Sequence, residues 1–161
     1  MQTEIYWTNE KLATMPRPRG FEMLEYEIKS LKESGVDVIV STLVDQEISK
    51  LGLENEKFYC RQNLITYLNF PITDHGLPDS FEDVYKFVRK LSAYYEVNKK
   101  IAVHCFAGIG RSSLIACCLL VLKGMDVDEA FTKISNARGF PVPDTQEQIE
   151  WAYTFAEKFK K

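Results

Sequence analysis

The segment Ile101 to Ser113, IAVHCFAGIGRSS, gathers a cysteine, two glycines, an arginine and two serines within thirteen residues. An apolar, β-branched stretch ends at His104-Cys105, a loop with Gly108 and Gly110 follows, and an apolar run begins at Arg111. Glycines at such a turn let the backbone close into a tight concave loop. Its N–H groups then converge on one point at a helix N-terminus and form an anion site. Arg111 adds a planar fork suited to two-pronged phosphate binding. Cys105, at the base of the loop, sits below a phosphate held there.

Magnitudes decide what such a cysteine needs in order to react. A free thiol titrates near ~8.5, and helix N-termini with nearby cations bring this down to roughly 3.5–7.5. A drop of about three units takes ~4 kcal/mol. A helix dipole supplies up to ~2 kcal/mol even when partly buried. The dipole alone falls short, so convergent N–H groups, Arg111 and the Ser112 hydroxyl must add to it. The competing reading of Cys105 is a packing cysteine, which the flanking glycines and arginine argue against.

The rest of the chain must position this loop. With 161 residues, 45% of them hydrophobic, it is long enough for one domain over 1–161 with a real core. Strands are expected over Glu4 to Thr8, Lys11 to Met15, Val36 to Leu43, Leu64 to Ile72 and Lys100 to His104. Helices are expected over Phe21 to Ser34, Asp45 to Leu51, Glu54 to Arg61, Ser80 to Val97 and Arg111 to Lys123, the last nearly all apolar and therefore buried. Asp79-x-x-Glu82, Asp126-x-x-Glu129 and Asp144-x-x-Glu147 have capping spacing and open helices. Strands alternating with helices predict an α/β fold, a central mainly parallel sheet flanked by helices, with ligands at the carboxyl ends of the strands. Cys105 lies at such an end.

Composition excludes several classes. A net charge of −3 argues against a nucleic-acid binder, so any phosphate is handled locally. The longest apolar run, Leu114 to Leu122, is too short to cross a bilayer, and no secretory signal is visible at the N-terminus, so no membrane partner is expected. Cys60, Cys105, Cys117 and Cys118 form no metal-binding spacing, which points to a reducing cytoplasm. Cys117 and Cys118 read as core. Cys60 is either core or a partner that protects Cys105 by disulfide formation.

His104-Cys105-x5-Arg111-Ser112 resembles the H-C-x5-R-[S/T] loop of cysteine-dependent protein-tyrosine and dual-specificity phosphatases. The resemblance runs from about Pro16 to Trp151. The pieces MPRPRG, PITDHGLPD and PVPDTQEQ are similar to those of small bacterial and archaeal members of the dual-specificity-like branch. It implies a single-domain phosphatase fold and a metal-independent phosphomonoester hydrolase with no cofactor. Its partner would be a phosphorylated protein or peptide. It also implies a nucleophilic thiolate at Cys105 and phosphate binding by the backbone of Phe106, Ala107, Gly108, Ile109, Gly110 and Arg111 with the Arg111 side chain. Ser112 would ease departure of the thiolate, and His104 would support the loop from behind.

Asp74, in PITDHG, matches the family's acid-loop aspartate, with Asp79 as its rival. Asp79 already has a capping role with Glu82, and Asp74 has none. The family's Trp-Pro-Asp is absent, since Ile72-Thr73 precede the acid. Gln148 matches the second glutamine of the small-phosphatase Q-[TS]-x-x-Q pattern, whereas Asp144 stands where the first would be and reads as an N-cap. That leaves water positioning open between Gln146 and Gln148. Phe106, Ala107 and Ile109 bring no positive charge to the loop, which favours phosphotyrosine over inositol phosphates and leaves phosphoserine and phosphothreonine open. Lys11, Arg17 and Arg19 are either a solvated loop or a rim that attracts phosphorylated partners. Two other classes compete: a phosphate-binding module without turnover, and a rhodanese or arsenate-reductase-like thiol enzyme. The chain is expected to act as a monomer.

Overall fold

The structure is a computed structural model and describes residues 3–160. Its strands are β1 (Tyr6–Trp7), β2 (Leu12–Pro16), β3 (Val38–Ser41), β4 (Thr66–Asn69) and β5 (Ile101–Cys105). Its α-helices are α1 (Leu24–Glu33), α2 (Asp45–Lys50), α3 (Glu56–Gln62), α4 (Phe81–Glu96), α5 (Arg111–Leu122), α6 (Val127–Arg138) and α7 (Gln146–Phe159). The sheet runs in the order β1-β2-β5-β3-β4. Among the described residues only β1 is antiparallel to its neighbour; the other pairs are parallel. This is the α/β architecture with a mainly parallel sheet that the sequence predicts.

β5 is central, between β2 and β3, and every one of its residues is buried. Side chains alternate along a strand. Ile101 and Val103 enter one core with Val84, Leu91, Leu119, Phe131 and Phe155, from the layer of α4 to α7. Ala102 enters the other, with Leu24, Ile28, Leu31 and Cys60 from α1 and α3. The same alternation places His104 on the α1–α3 side and Cys105 on the other. α5 is buried from Arg111 through Val121, which explains its lack of a polar face.

Several expected boundaries shift. The strand expected over Leu64 to Ile72 contracts to Thr66–Asn69, because it lies at the sheet edge and its one partner, β3, pairs with it only over Val38–Ser41. Leu64 is 82% exposed and left-handed, at φ 58°. The helix expected from Phe21 opens with a 3-10 turn, Phe21–Met23. Two caps move by one residue. Ser80, not Asp79, caps α4, its Oγ accepting from the Asp83 N–H at 3.1 Å. Thr145, not Asp144, caps α7, its Oγ1 accepting from the Gln148 N–H at 3.1 Å. In both places the residue expected to cap is followed by a hydroxyl residue that takes the role.

Candidate active site

β5 stops where the backbone must turn under α5. Gly108 sits at φ 72°, and a Cβ there would fall 2.7 Å from the backbone of Met15 and Pro16, so the loop passes too close to β2 for any side chain. Three loop carbonyls are held from outside. The Arg17 N–H donates to Phe106 O at 3.2 Å. Arg138 donates through Nη2 to Ala107 O at 3.1 Å and through Nε to Gly108 O at 3.2 Å. Carbonyls tied outwards leave the intervening N–H groups free to face the concave side, as an anion site requires. Arg138 itself rests on the Tyr6 ring, 4.5 Å from its centroid, which ties β1 to the loop.

Cys105 is 2% exposed, and its Sγ lies 3.2 Å from Ser112 Oγ, close enough for the hydroxyl to donate to a thiolate. Arg111 is also 2% exposed. It is gripped on both prongs by Glu47 of α2, Nη1 to Oε1 at 2.7 Å and Nη2 to Oε2 at 3.0 Å. Nη1 also donates to Ile72 O at 2.9 Å, and Nη2 to Asp74 Oδ1 at 3.1 Å. Burial opposes charge on both members of the Glu47–Arg111 pair. Hydrogen bonds and attraction between them outweigh it, so the Glu47 carboxyl is held below its ordinary range and the Arg111 guanidinium above its own. The fork thus stays charged and aimed.

The acid loop meets this centre through Asp74, 53% exposed and bonded to Arg111. Asp79 is exposed and outside the Arg111 contacts. Ser80 caps α4, so Asp79 has no capping role there, and of the two aspartates Asp74 is the one that contacts Arg111. His75, left-handed at φ 58°, puts Nδ1 3.3 Å from Asp144 Oδ2 and Nε2 3.8 Å from Asp74 Oδ2. Asp144 is therefore not a cap. It stands beside the loop, and a Cβ on Gly110 would come within 2.6 Å of its Oδ2.

Gln148 is fully buried next to Gly110. Its Oε1 accepts from the N–H groups of Asp144 and Thr145 at 3.0 and 3.2 Å, and its Nε2 donates to Gly76 O at 3.4 Å. It closes a capping box and pins the acid loop at once. Gln146 is exposed and bonds to Glu150. His104 is fully buried with Nε2 2.7 Å from Glu56 Oε2. Phe106 is 49% exposed at the mouth, with the Arg17 guanidinium 5.8 Å from its ring. All four cysteines are free; Cys60 packs in the α1–α3 core, and Cys117 and Cys118 in the other.

Sequence reasoning missed Glu47, Glu56 and Arg138. Each is a single charged residue on an ordinary helix, with no motif around it. Their partners lie 64, 48 and 30 residues away. A buried arginine in the loop implies a carboxylate somewhere, but only the fold says which.

Residues 24–156 match the dual-specificity phosphatase catalytic domain. Among curated proteins, the chain is similar to cyclin-dependent kinase inhibitor 3 of Rattus norvegicus, 27% identical over 138 residues. That match takes in 84% of this chain and 64% of the relative, so the chain spans under two thirds of that relative's length. Among solved structures, it resembles kinase-associated phosphatase with its catalytic-site cysteine replaced by serine. The TM-score is 0.87 at 23% identity, over 99% of this chain and 97% of that one. It also resembles Tk-PTP in its active form, with a TM-score of 0.82 at 23% identity, over 98% and 99% of the two chains. No helix among the described residues is long and apolar enough to cross a membrane.

Proposed function

The chain belongs to the dual-specificity phosphatase family, and from that premise we propose that it hydrolyses phosphomonoesters on proteins through a cysteinyl-phosphate at Cys105. The observation that carries this reading is one unbroken run of contacts. Cys105 Sγ reaches Ser112 Oγ at the start of α5, and the neighbouring Arg111 joins the loop to Asp74.

In the first step the Cys105 thiolate attacks phosphorus in line. An S–P bond forms as the ester P–O bond breaks, and Asp74 gives its proton to the leaving oxygen. The N–H groups of the Phe106 to Arg111 loop and the Arg111 fork hold the three equatorial oxygens. In the second step a water attacks the same phosphorus and loses a proton to Asp74. The S–P bond breaks, Cys105 leaves as thiolate with a hydrogen bond from Ser112, and inorganic phosphate is released. Gln148 positions the acid loop through Gly76; its Oε1 is committed to two backbone amides, so only Nε2 is available to orient a water.

Asp74 is bonded to Arg111 through Oδ1 at 3.1 Å. An arriving phosphate dianion competes for the same guanidinium and releases the Asp74 side chain to face the leaving oxygen. Phosphotyrosine fits the site best, because the mouth offers the Phe106 ring and the loop has no lysine; phosphoserine and phosphothreonine are secondary substrates. The reading takes residues 1–161 as one phosphatase domain acting as a monomer in the cytoplasm, with no metal or nucleic acid involved. A phosphate-binding module without turnover is not favoured, since all four residues are present, Cys105 in contact with Ser112 and Arg111 with Asp74. A sulfur-transfer or arsenate enzyme would leave Asp74 without a task.

Nitrophenyl-phosphate hydrolysis tests the assignment. Cys105→Ser is expected to reduce turnover to background while retaining phosphate binding; substantial residual turnover overturns it. Asp74→Asn is expected to slow alkyl phosphates by about 10²–10⁴-fold and good aryl leaving groups far less. If Asp79→Asn shows that pattern and Asp74→Asn does not, the acid is Asp79. A phosphopeptide panel then ranks tyrosine against serine and threonine.

A further inference from the structure

We propose that Glu56 is a positioning residue of the Cys105 site, acting through a buried hydrogen-bonded pair with His104. This rests on the phosphatase reading, in which Cys105 must react as a thiolate.

The pair lies behind the loop, on the opposite side of β5 from the nucleophile. Glu56 opens α3, yet its side chain is turned into the core and is 1% exposed; that of His104 is fully buried. Their contact, Nε2 to Oε2, is 2.7 Å. The His104 backbone is also fixed, its carbonyl accepting from the Thr42 N–H at 3.0 Å and from Thr42 Oγ1 at 2.9 Å. Ring and backbone of the residue before Cys105 are thus both anchored.

Stability does not account for the pair. Glu56 Oε1 and His104 Nδ1 have no hydrogen-bond partner among the described residues, and both are buried. A buried ionic pair is often no more stabilising than apolar residues of similar volume, and orphaned polar atoms add cost. The core on that side of the sheet, which holds Met15, Leu43, Leu53 and Ile65, is apolar and would accept such residues.

Electrostatics supplies a role. The Glu56 carboxyl and the His104 imidazole meet at Nε2 and Oε2, so the polarity of the pair runs along that contact, from the ring towards the carboxyl. Its positive end is the imidazole, one residue from Cys105, and its negative end lies away in α3. That orientation favours a thiolate at the end of β5. Other groups facing the pair do not cancel it. Glu47 of α2 is occupied by Arg111. Burial pushes the Cys60 thiol on α3 and the Tyr67 phenol on β4 well up, which keeps both neutral. Asp45 of α2 acts on Tyr67 from the surface side.

The test is Cys105 alkylation by iodoacetamide as a function of pH, with the labelled residue located by mass spectrometry. This needs no phosphatase turnover. In Glu56→Gln, which keeps a hydrogen bond but not the charge, the rate on the acid limb of the wild-type profile is expected to fall about tenfold, the equivalent of one unit in a thiol titration, while the rate on the alkaline plateau stays within about twofold. His104→Asn is expected to do the same, and the double variant no more than either alone. Should Glu56→Gln fail to fold, Glu56→Met with His104→Leu keeps the volume without charge and should show the same low-pH loss. A folded variant with the wild-type pH profile, or additive losses in the double variant, overturns the proposal. Nitrophenyl-phosphate turnover of the wild type is measured alongside: no turnover defeats the phosphatase reading, whereas an unchanged alkylation profile defeats the role of Glu56.

Discussion

The layer of α4 to α7 and the layer of α1 to α3 cover the same sheet with different residues. The first is packed with Leu114, Leu119, Phe131, Trp151 and Phe155, and its two cysteines on α5 are inert because burial pushes both thiols far up. The second is a smaller core that buries carboxylates: Glu27 on α1, which binds Arg19 and Thr3, and Glu56 on α3, which holds His104; partly buried Glu47 on α2 holds Arg111. The larger layer supplies the helix on which the loop stands. The smaller one supplies the charges that aim what the loop carries. The side of β5 that a residue faces does not by itself set its chemistry. Cys117 and Cys105 are the same residue type on the same side, separated only by the loop glycines and the α5 N-terminus.

The contrast makes predictions of decreasing size. Glu47→Gln should have the largest effect, because it leaves the buried Arg111 fork without its two-pronged partner. A stability loss of about 3 kcal/mol is expected, the lower end for a broken buried pair because Glu47 is partly exposed. Misplacement of Arg111 should lower kcat/KM by about a hundredfold. Denaturant melts and nitrophenyl-phosphate kinetics measure both; a change confined to stability would make the smaller layer merely structural.

Cys117→Ser should cost about 1–2 kcal/mol by burying a hydroxyl in the apolar core. It should leave kcat/KM unchanged within about twofold. A large kinetic loss would show that the larger layer also tunes the site.

The smallest effect is on acid sensitivity. Glu27 and Glu47 are both held below their ordinary range; burial opposes this, but hydrogen bonds from Arg19 and Thr3 in one case and from Arg111 and the Val44 N–H in the other outweigh it. A carboxyl depressed in the fold stabilises fully above its unfolded value, near about 4.3, and loses that contribution as pH falls through its folded value. Acidification from about pH 6 to about pH 3 should therefore weaken α1 and α2 first. Hydrogen exchange at low pH should show those amides opening before those of α5. Simultaneous opening would break the distinction between the layers.

Much of this was legible in the chain. The alternation of β-branched runs with helical periodicity determined a mainly parallel sheet, and IAVHCFAGIGRSS determined a concave loop at the carboxyl end of a strand. Those features are local: a glycine, a strand end and a helix start within a few residues constrain one another directly. The caps were less legible. Asp79-Ser80 and Asp144-Thr145 each offer two capping residues in a row, and sequence spacing does not choose between them. The sequence narrows the proposed acid to two aspartates; Ser80 takes the cap that would have set Asp79 apart, and the structure distinguishes them by the 3.1 Å contact of Asp74 with Arg111.

The sequence by itself determined that a thiol, an arginine and a serine share one phosphate-sized loop, because adjacent residues cannot be far apart. Only the tertiary structure decided what holds them. Glu47, Glu56 and Arg138 come from three helices and reach the loop because β5 is central and both layers end at its tip. A buried charge needs a counter-charge within a few ångströms, and nothing in the spacing along a chain states which distant residue folding will bring there.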